Sequence, residues 1–520
     1  MIDLAERAQS TSHRSAGRRW RLSPLRAALG LLGITLLLLG GSMRGLQLSP
    51  ILTTAAFLAL LAATLIGGVE GWPTRGERQF QQDPARQSTE REATARRSRI
   101  GLAIVGVTST IAVQSWFEPG RLLASGDTSP VIGTAWLGRI FTAWWWSGSN
   151  LGGPAANETA LPWAGVYWLV HALHGSPGLA ERIWYSTLFV GAAVACYLLL
   201  RILRIGPAGA TIGALSYVFN AHIVDVGTNP VFLAATMLLP ALLGVVLAAA
   251  SGRWSQRRGI ILFAASAPIL GYVSMNPPLV LMIGVPLATA PFLVAWIDGQ
   301  ESAYRALRVL AFGGLLLALA SSYWIIPTIL QVQGEATSAL ASQASWTWSE
   351  GRANLANGFW LNNDWGWKFA EYEPFAGQYA RFPLLTLKYL FPASAFAFLV
   401  LANFSGNPQA VARRARLGIA ASITALILVL ISTGTMFPGS IVFDPLYNLP
   451  FGWLLREPGR FLILAGLAYS VLLGLTADAI ADNLKLFTPF SERGWRPTFG
   501  RPGLRVVGVG AIGLAILVPG

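Results

Sequence analysis

IGLAIVGVTSTIAVQSWF, residues 100–117, followed by EPGRLLASGDTSP, residues 118–130, is the stretch on which the reading of the chain turns. The first part, Ile100–Phe117, carries no charge and is close to the ~20 apolar residues that a helix needs to cross a bilayer. It emerges from a basic flank, Arg96, Arg97 and Arg99, and stops at Glu118-Pro119-Gly120. Asp127 stands seven residues further on, in Ser-Gly-Asp-Thr-Ser-Pro, and an aromatic amphipathic run follows it: Trp136, Ile140, Phe141, Trp144, Trp145 and Trp146. A carboxylate just past a membrane exit, beside a Trp-rich interfacial stretch, is placed for chemistry on a lipid-linked substrate. The rest of the chain reads as the scaffold that holds it.

Composition supports that scaffold. A chain of 520 residues that is 53% hydrophobic and only 12% charged has more apolar surface than a water-soluble core can hide. The expected fold class is therefore all-α, a polytopic membrane protein with about 12–13 transmembrane helices and amphipathic helices in its outer loops. The net charge of +14 comes mainly from arginines in short segments between apolar runs. Positive-inside topology accounts for them, so nucleic acid is not an expected partner and the bilayer is. Cys196, within an apolar run, is the one cysteine, which excludes disulfides and cysteine-based metal sites.

In chain order, residues 1–73 read as a basic tail and a transmembrane hairpin, the tail imitating a signal peptide but lacking an Ala-x-Ala-like cleavage site. Residues 74–99 are arginine-rich and lack apolar periodicity, as a cytoplasmic linker would. Residues 100–520 form the main transmembrane module. Its arginine distribution puts 118–180, 331–384 and 434–460 outside the cell membrane. The sequence ends at Gly520, at the outer end of an apolar run, as if an extracytoplasmic segment were to follow.

The aromatic and acidic residues of the longer loops fall on that one side. A sugar carried on a polyprenyl phosphate is presented there, and attack on its anomeric carbon by an acceptor hydroxyl needs a carboxylate base while phosphate leaves unaided. Asp127 is the candidate base; the same residue would also serve as N-cap of a helix near 131–146. Trp360, Asp364, Trp365 and Trp367 combine rings that stack on sugars with a carboxylate, as an acceptor surface does, although tryptophan also anchors proteins at the interface. Arg456 and Arg460, in Leu455-Arg-Glu-Pro-Gly-Arg-Phe461, oppose the positive-inside trend. A donor phosphate would offset them, as would Glu457 or a lipid headgroup. His171 and His174 have helical spacing but lack further ligands, so no metal site is assigned. Whether a divalent cation takes part stays open.

Several stretches, in this order, resemble the membrane module of the actinobacterial arabinofuranosyltransferase D family, of the GT-C class of polyprenyl-phosphate-dependent glycosyltransferases. They are Gly126-Asp-Thr128; Trp146-Ser147 through Asn150-Leu-Gly-Gly153; Asn157 with Leu161-Pro-Trp163; Leu179-Ala-Glu-Arg-Ile-Trp184; Arg204-Ile-Gly-Pro207 leading into Ala214-Leu-Ser-Tyr217; and Ala320-Ser-Ser-Tyr-Trp324. Arg456–Phe461 is similar to a short Arg-x-Pro motif at the far end. The resemblance covers roughly residues 100–380. It implies a membrane glycosyltransferase with Asp127 as first-loop catalytic residue, a polyprenyl-phosphate arabinofuranose donor and a cell-envelope polysaccharide or glycolipid acceptor. The other readings are a GT-C mannosyltransferase and a membrane scaffold or lipid-linked-sugar transporter without chemistry. A transporter would carry charges facing a midplane cavity, and the acidic residues here lie in loops or at span ends.

Overall fold

Proline and a small polar residue open helix after helix in this chain. Ser176 accepts a hydrogen bond from Leu179 N–H ahead of Pro177, and Asn229 accepts one from Val231 N–H ahead of Pro230. Proline at the first helical position needs no hydrogen bond and the cap supplies one that is missing. The computed structural model describes residues 23–42, 49–70, 84–123, 144–145, 153–154, 157–334, 342–369, 375–401 and 408–486. Their helices are α1 Pro24–Ser42, α2 Ser49–Glu70, α3 Pro84–Gln114, α4 Leu161–Ala172, α5 Pro177–Ile202, α6 Pro207–Val218, α7 Ala221–Val226 and α8 Pro230–Ala250. Then come α9 Gln256–Ala264, α10 Ala267–Val273, α11 Pro277–Asp298, α12 Gln300–Ala320, α13 Ser322–Gly334 and α14 Leu355–Phe359. The last are α15 Leu384–Leu387, α16 Leu390–Phe396, α17 Phe398–Leu401, α18 Pro408–Ile431, α19 Ser440–Tyr447 and α20 Leu462–Leu486. The β structure among the described residues is one two-residue antiparallel pairing, Trp144–Trp145 with Gly153–Pro154.

Seven helices among the described residues are long and apolar enough to cross a membrane, in α2, α5, α8, α11, α12, α18 and the stretch Pro458–Ala481 that overlaps α20; Pro24–Gly40 and Leu384–Phe396 are shorter apolar helices. The polytopic all-helical class holds. Four apolar runs are each divided into shorter helices. In 209–224, Asn220 caps α7 by accepting from His222 and Ile223 N–H. In 259–273, Ser266 donates back to the Phe263 carbonyl between α9 and α10. Ser321 separates α12 from α13, and 386–403 becomes α15, α16 and α17. Helix α3 begins at Pro84, so residues 84–99 of the segment read as a cytoplasmic linker are helical. Their Ala, Arg, Glu and Gln are good helix formers, and Pro84 suits a first helical position.

Helix α20 is the centre of the fold, for the apolar stretch it belongs to is 100% buried, while that of α12 is 17% buried and turns Phe312, Leu315 and Leu319 outward. α6 packs against α20 through Gly209 and Gly213, four residues apart. A Cβ at Gly209 would lie 2.3 Å from the Gly474 carbonyl oxygen, and one at Gly213 would lie 2.5 Å from that of Ser470. Small residues at this spacing let membrane helices meet backbone to backbone. Gly209→Ala is expected to lower stability by about 1–3 kcal/mol, as overpacking does. Gly314→Ala, which would meet nothing within 4 Å, is the control and should leave it unchanged. Thermal unfolding in detergent measures both, and equal midpoints would remove the close-approach account.

Two ends of the bundle differ in chemistry. At the basic end Arg413 pairs with Asp298 and donates to the Leu203 carbonyl at 2.7 Å. Arg416 donates to Trp296 and Arg253 to Arg201. At the opposite end Glu181 accepts from Leu123 N–H at 3.0 Å, just beyond α3.

Candidate functional site

Two buried amide side chains and one carboxylate fix the loop that precedes the site. Asn363 Nδ2 donates to the backbone carbonyl and hydroxyl of Ser432, at 3.0 and 2.9 Å. Asn362 Oδ1 accepts from Arg352 at 3.0 Å. Glu350, 3% exposed, accepts from the N–H of Thr435 at 2.7 Å and from its hydroxyl. The turn that brings Thr435 there needs Gly434, whose φ is +59° and where a Cβ would lie 2.6 Å from the Glu350 carboxyl. Burial raises the Glu350 pKa, and the two bonds from Thr435 oppose the rise. Segments 343–350, 362–364 and 432–435 are thus tied together.

The structure separates the two arginines that the sequence grouped. Arg460 is 7% exposed, pairs with Glu457 and donates to Asn276 Oδ1 at 2.6 Å. Its guanidinium lies 5.5 Å from the Phe232 ring. Arg456 is half-buried and stacks on Trp346 and Trp453, at 4.6 and 5.5 Å. No carboxylate lies within ion-pairing distance of it among the described residues, and its Nε has no hydrogen-bond partner there. Burial, then the charge of Arg460, lowers the Arg456 pKa, the sign of a cation whose surroundings favour an added anion.

Beside them two carboxyl groups meet. Asp364 accepts from Gly366 N–H at 2.7 Å, closing a tight turn, and its side chain is hydrogen-bonded to that of Asp225, at the end of α7. Burial raises the Asp364 pKa, the Gly366 N–H opposes this, the Glu457 charge raises it further, and Asp225 and Arg460 lower it. His222, one turn before Asp225, is 1% exposed, neither ring nitrogen has a hydrogen-bond partner among the described residues, and Arg460 is its charged neighbour. Asp225, His222 and Glu350 carry no signal in the sequence that marks them as site residues, beyond the i, i+3 placement of His222 and Asp225 before an outer turn.

The aromatic candidates divide as well. Trp360 and Trp367 are buried, at 2% and 5% exposure. Trp360 stacks on Tyr379 (5.8 Å, 19°) and meets Trp367 edge-on, while Lys388 Nζ lies 4.6 Å over the Trp360 ring and donates to the Tyr379 carbonyl. With their faces covered, both tryptophans pack the core of the loop. Trp365 is half-buried and lies edge-on to Trp348, which is 53% exposed and neighbours Trp346. This open aromatic patch adjoins Asp364. Asp127, Trp136, Ile140, Phe141 and Trp146 lie outside the described residues. No group of three or more His, Cys, Asp or Glu side chains that could hold a metal occurs among the described residues.

No protein-family model matches the chain. Over 240 residues it is 27% identical to the polyprenol-phosphate-mannose-dependent alpha-(1-2)-phosphatidylinositol pentamannoside mannosyltransferase of Mycolicibacterium smegmatis, a match spanning 42% of this chain and 56% of that enzyme. Among solved structures, the arabinofuranosyltransferase AftD from Mycobacteria aligns with a TM-score of 0.45 and 18% identity, over 81% of this chain and 27% of that one. The chain spans about half the length of the first relative and about a quarter of the second. It is similar to membrane glycosyltransferases, the class to which its own motifs point.

Proposed function

We propose that the chain is a membrane glycosyltransferase that moves a sugar from a polyprenyl-phosphate donor to a cell-envelope polysaccharide or glycolipid, at the extracytoplasmic face of a bacterial plasma membrane. The observation that carries this reading is Arg456, held between two tryptophans with no carboxylate within ion-pairing distance among the described residues. A guanidinium fixed by ring stacking offers its donor edge to phosphate oxygens. The likeness to a polyprenol-phosphate-dependent enzyme over 240 residues supports the same donor chemistry.

In this mechanism the acceptor hydroxyl attacks the anomeric carbon, Asp127 takes its proton, and the bond to the phosphate oxygen breaks with its electron pair on phosphate. Arg456 contacts the phosphate, and Arg460 holds the turn from which Arg456 projects. Trp365 and Trp348 offer ring faces to the sugars, next to Asp364. Arabinofuranose is the sugar that the motif order favours. Mannose is the second reading, favoured by the sequence match to a mannosyltransferase.

Arg456→Ala should weaken binding of polyprenyl phosphate by about 1.5–3 kcal/mol, the range for a hydrogen bond to a charged group. Arg456→Lys should recover part of it, because ammonium lacks the planar fork. Calorimetric titration of the detergent-solubilised protein measures the loss. An Ala variant that binds as tightly as wild type would remove Arg456 from the donor site.

A further inference from the structure

The phosphate of such a donor is bonded directly to the sugar. Groups that border the turn carrying the phosphate-reading Arg456, a turn held by Arg460, therefore stand where the donor sugar comes before the acceptor. The groups in that position are Asp225, Asp364 and His222: Asp364 lies within reach of the Arg460 and Glu457 charges, and His222 has Arg460 as its charged neighbour. Asp225 and His222 share α7, three residues apart and so one turn apart, on one face of the helix. Asp364 arrives from a different loop, anchored by Gly366 N–H on one side and by Asn363 on Ser432 just before it.

Two features ask for a ligand here. The carboxyls of Asp225 and Asp364 come from separate segments and meet on each other, although each is a strong acceptor suited to a hydroxyl donor. The His222 ring is 1% exposed with both nitrogens unpartnered among the described residues, which in a closed protein interior is costly. A hydroxyl pair on a sugar ring answers both: one hydroxyl donates to each carboxyl, and a third polar group of the sugar reaches the imidazole. An apolar or purely anionic ligand would answer neither.

We infer that Asp225, Asp364 and His222 form the subsite that reads the hydroxyl groups of the donor sugar, with Asp225 and Asp364 dividing two neighbouring hydroxyls between them. This rests on the glycosyltransferase reading given above. Binding replaces the hydrogen bond between the two carboxyls with one bond from each to the sugar, and Trp365 supplies the adjacent ring. The subsite sets which sugar is accepted, and the contact with phosphate sets only that the sugar is lipid-linked.

The test uses the whole membrane-embedded chain with polyprenyl-phosphoryl arabinofuranose and polyprenyl-phosphoryl mannose, and with singly deoxygenated analogues of whichever is transferred. A site built to hydrogen-bond a hydroxyl rejects the analogue lacking it, by ~10⁴–10⁵-fold in the strongest cases. Wild-type protein should lose at least about 100-fold in kcat/KM at one or two deoxy positions. Asp225→Asn and Asp364→Asn should each lower kcat/KM on the intact donor, and each should reduce the penalty at one of those positions to below about tenfold. His222→Asn should act at a third position. Thermal unfolding of each variant shows whether it is folded, and the deoxy series on wild-type protein stands whether or not a variant folds. A wild-type enzyme that accepts every deoxy donor within tenfold overturns the inference. So do folded Asn variants that keep the full deoxy penalty. Transfer from neither intact donor overturns the glycosyltransferase reading itself and this subsite with it, a result distinct from transfer without hydroxyl discrimination.

Discussion

Asp127→Asn is expected to lower sugar transfer by ~10²–10⁴-fold, the usual worth of general-base assistance, with insertion, thermal stability and polyprenyl phosphate binding all at wild-type levels. Asparagine matches aspartate in size and is about as good a helix N-cap. The substitution therefore leaves a capping role intact and removes only the base. A cap would predict stability and turnover both unchanged, whereas a base predicts unchanged stability with collapsed turnover. The two measurements must be made on the same preparation. Near wild-type turnover in the Asn variant would end the claim for Asp127 and move the search for a base to the carboxyl groups of the described site.

Arg460→Ala is expected to act on the fold instead, destabilising the protein by about 3–5 kcal/mol, the range for breaking a buried ion pair by removing one partner. The arginine side chain is 8% exposed and that of Glu457 18% exposed, and Asn276 Oδ1 loses its donor at the same time. The double variant Arg460→Ala with Glu457→Gln should recover part of the loss, because no unpaired carboxylate is left buried. Arg456→Ala, with no ion-pair partner among the described residues, should cost far less stability. Thermal unfolding of the four proteins separates these outcomes. If Arg460→Ala and Arg456→Ala melt together, the division of labour between the two arginines is wrong.

Much of the scaffold was legible in the sequence because bilayer thickness and arginine bias leave few alternatives for long apolar runs. Helices α5, α8, α11 and α18 fall where those runs stand. The divisions at Asn220 and Ser266 were less visible, since a single polar residue in an apolar run is read as tolerated until its backbone partner is known. The start of α3 at Pro84 was missed for the opposite reason: charge density hid good helix formers. Within the site, Arg456 and Arg460 were legible by charge on an unexpected side, but their different partners, tryptophans for one and Glu457 for the other, depend on the fold. Trp360 and Trp367 looked like open rings because composition cannot tell a buried aromatic cluster around Lys388 from an exposed one. Asp225 meets Asp364 across 139 positions of sequence (364 − 225), and no local pattern records such a meeting.

Purified protein in lipid nanodiscs is given radiolabelled polyprenyl-phosphoryl arabinofuranose or polyprenyl-phosphoryl mannose, with arabinan fragments and mannosylated glycolipids as acceptors. Label should pass from one of the two donors to an acceptor with release of an equal amount of polyprenyl phosphate, and the Arg456→Ala variant should bind and use that donor less well. Folded wild-type protein that binds polyprenyl phosphate yet transfers no label from either donor would contradict the account.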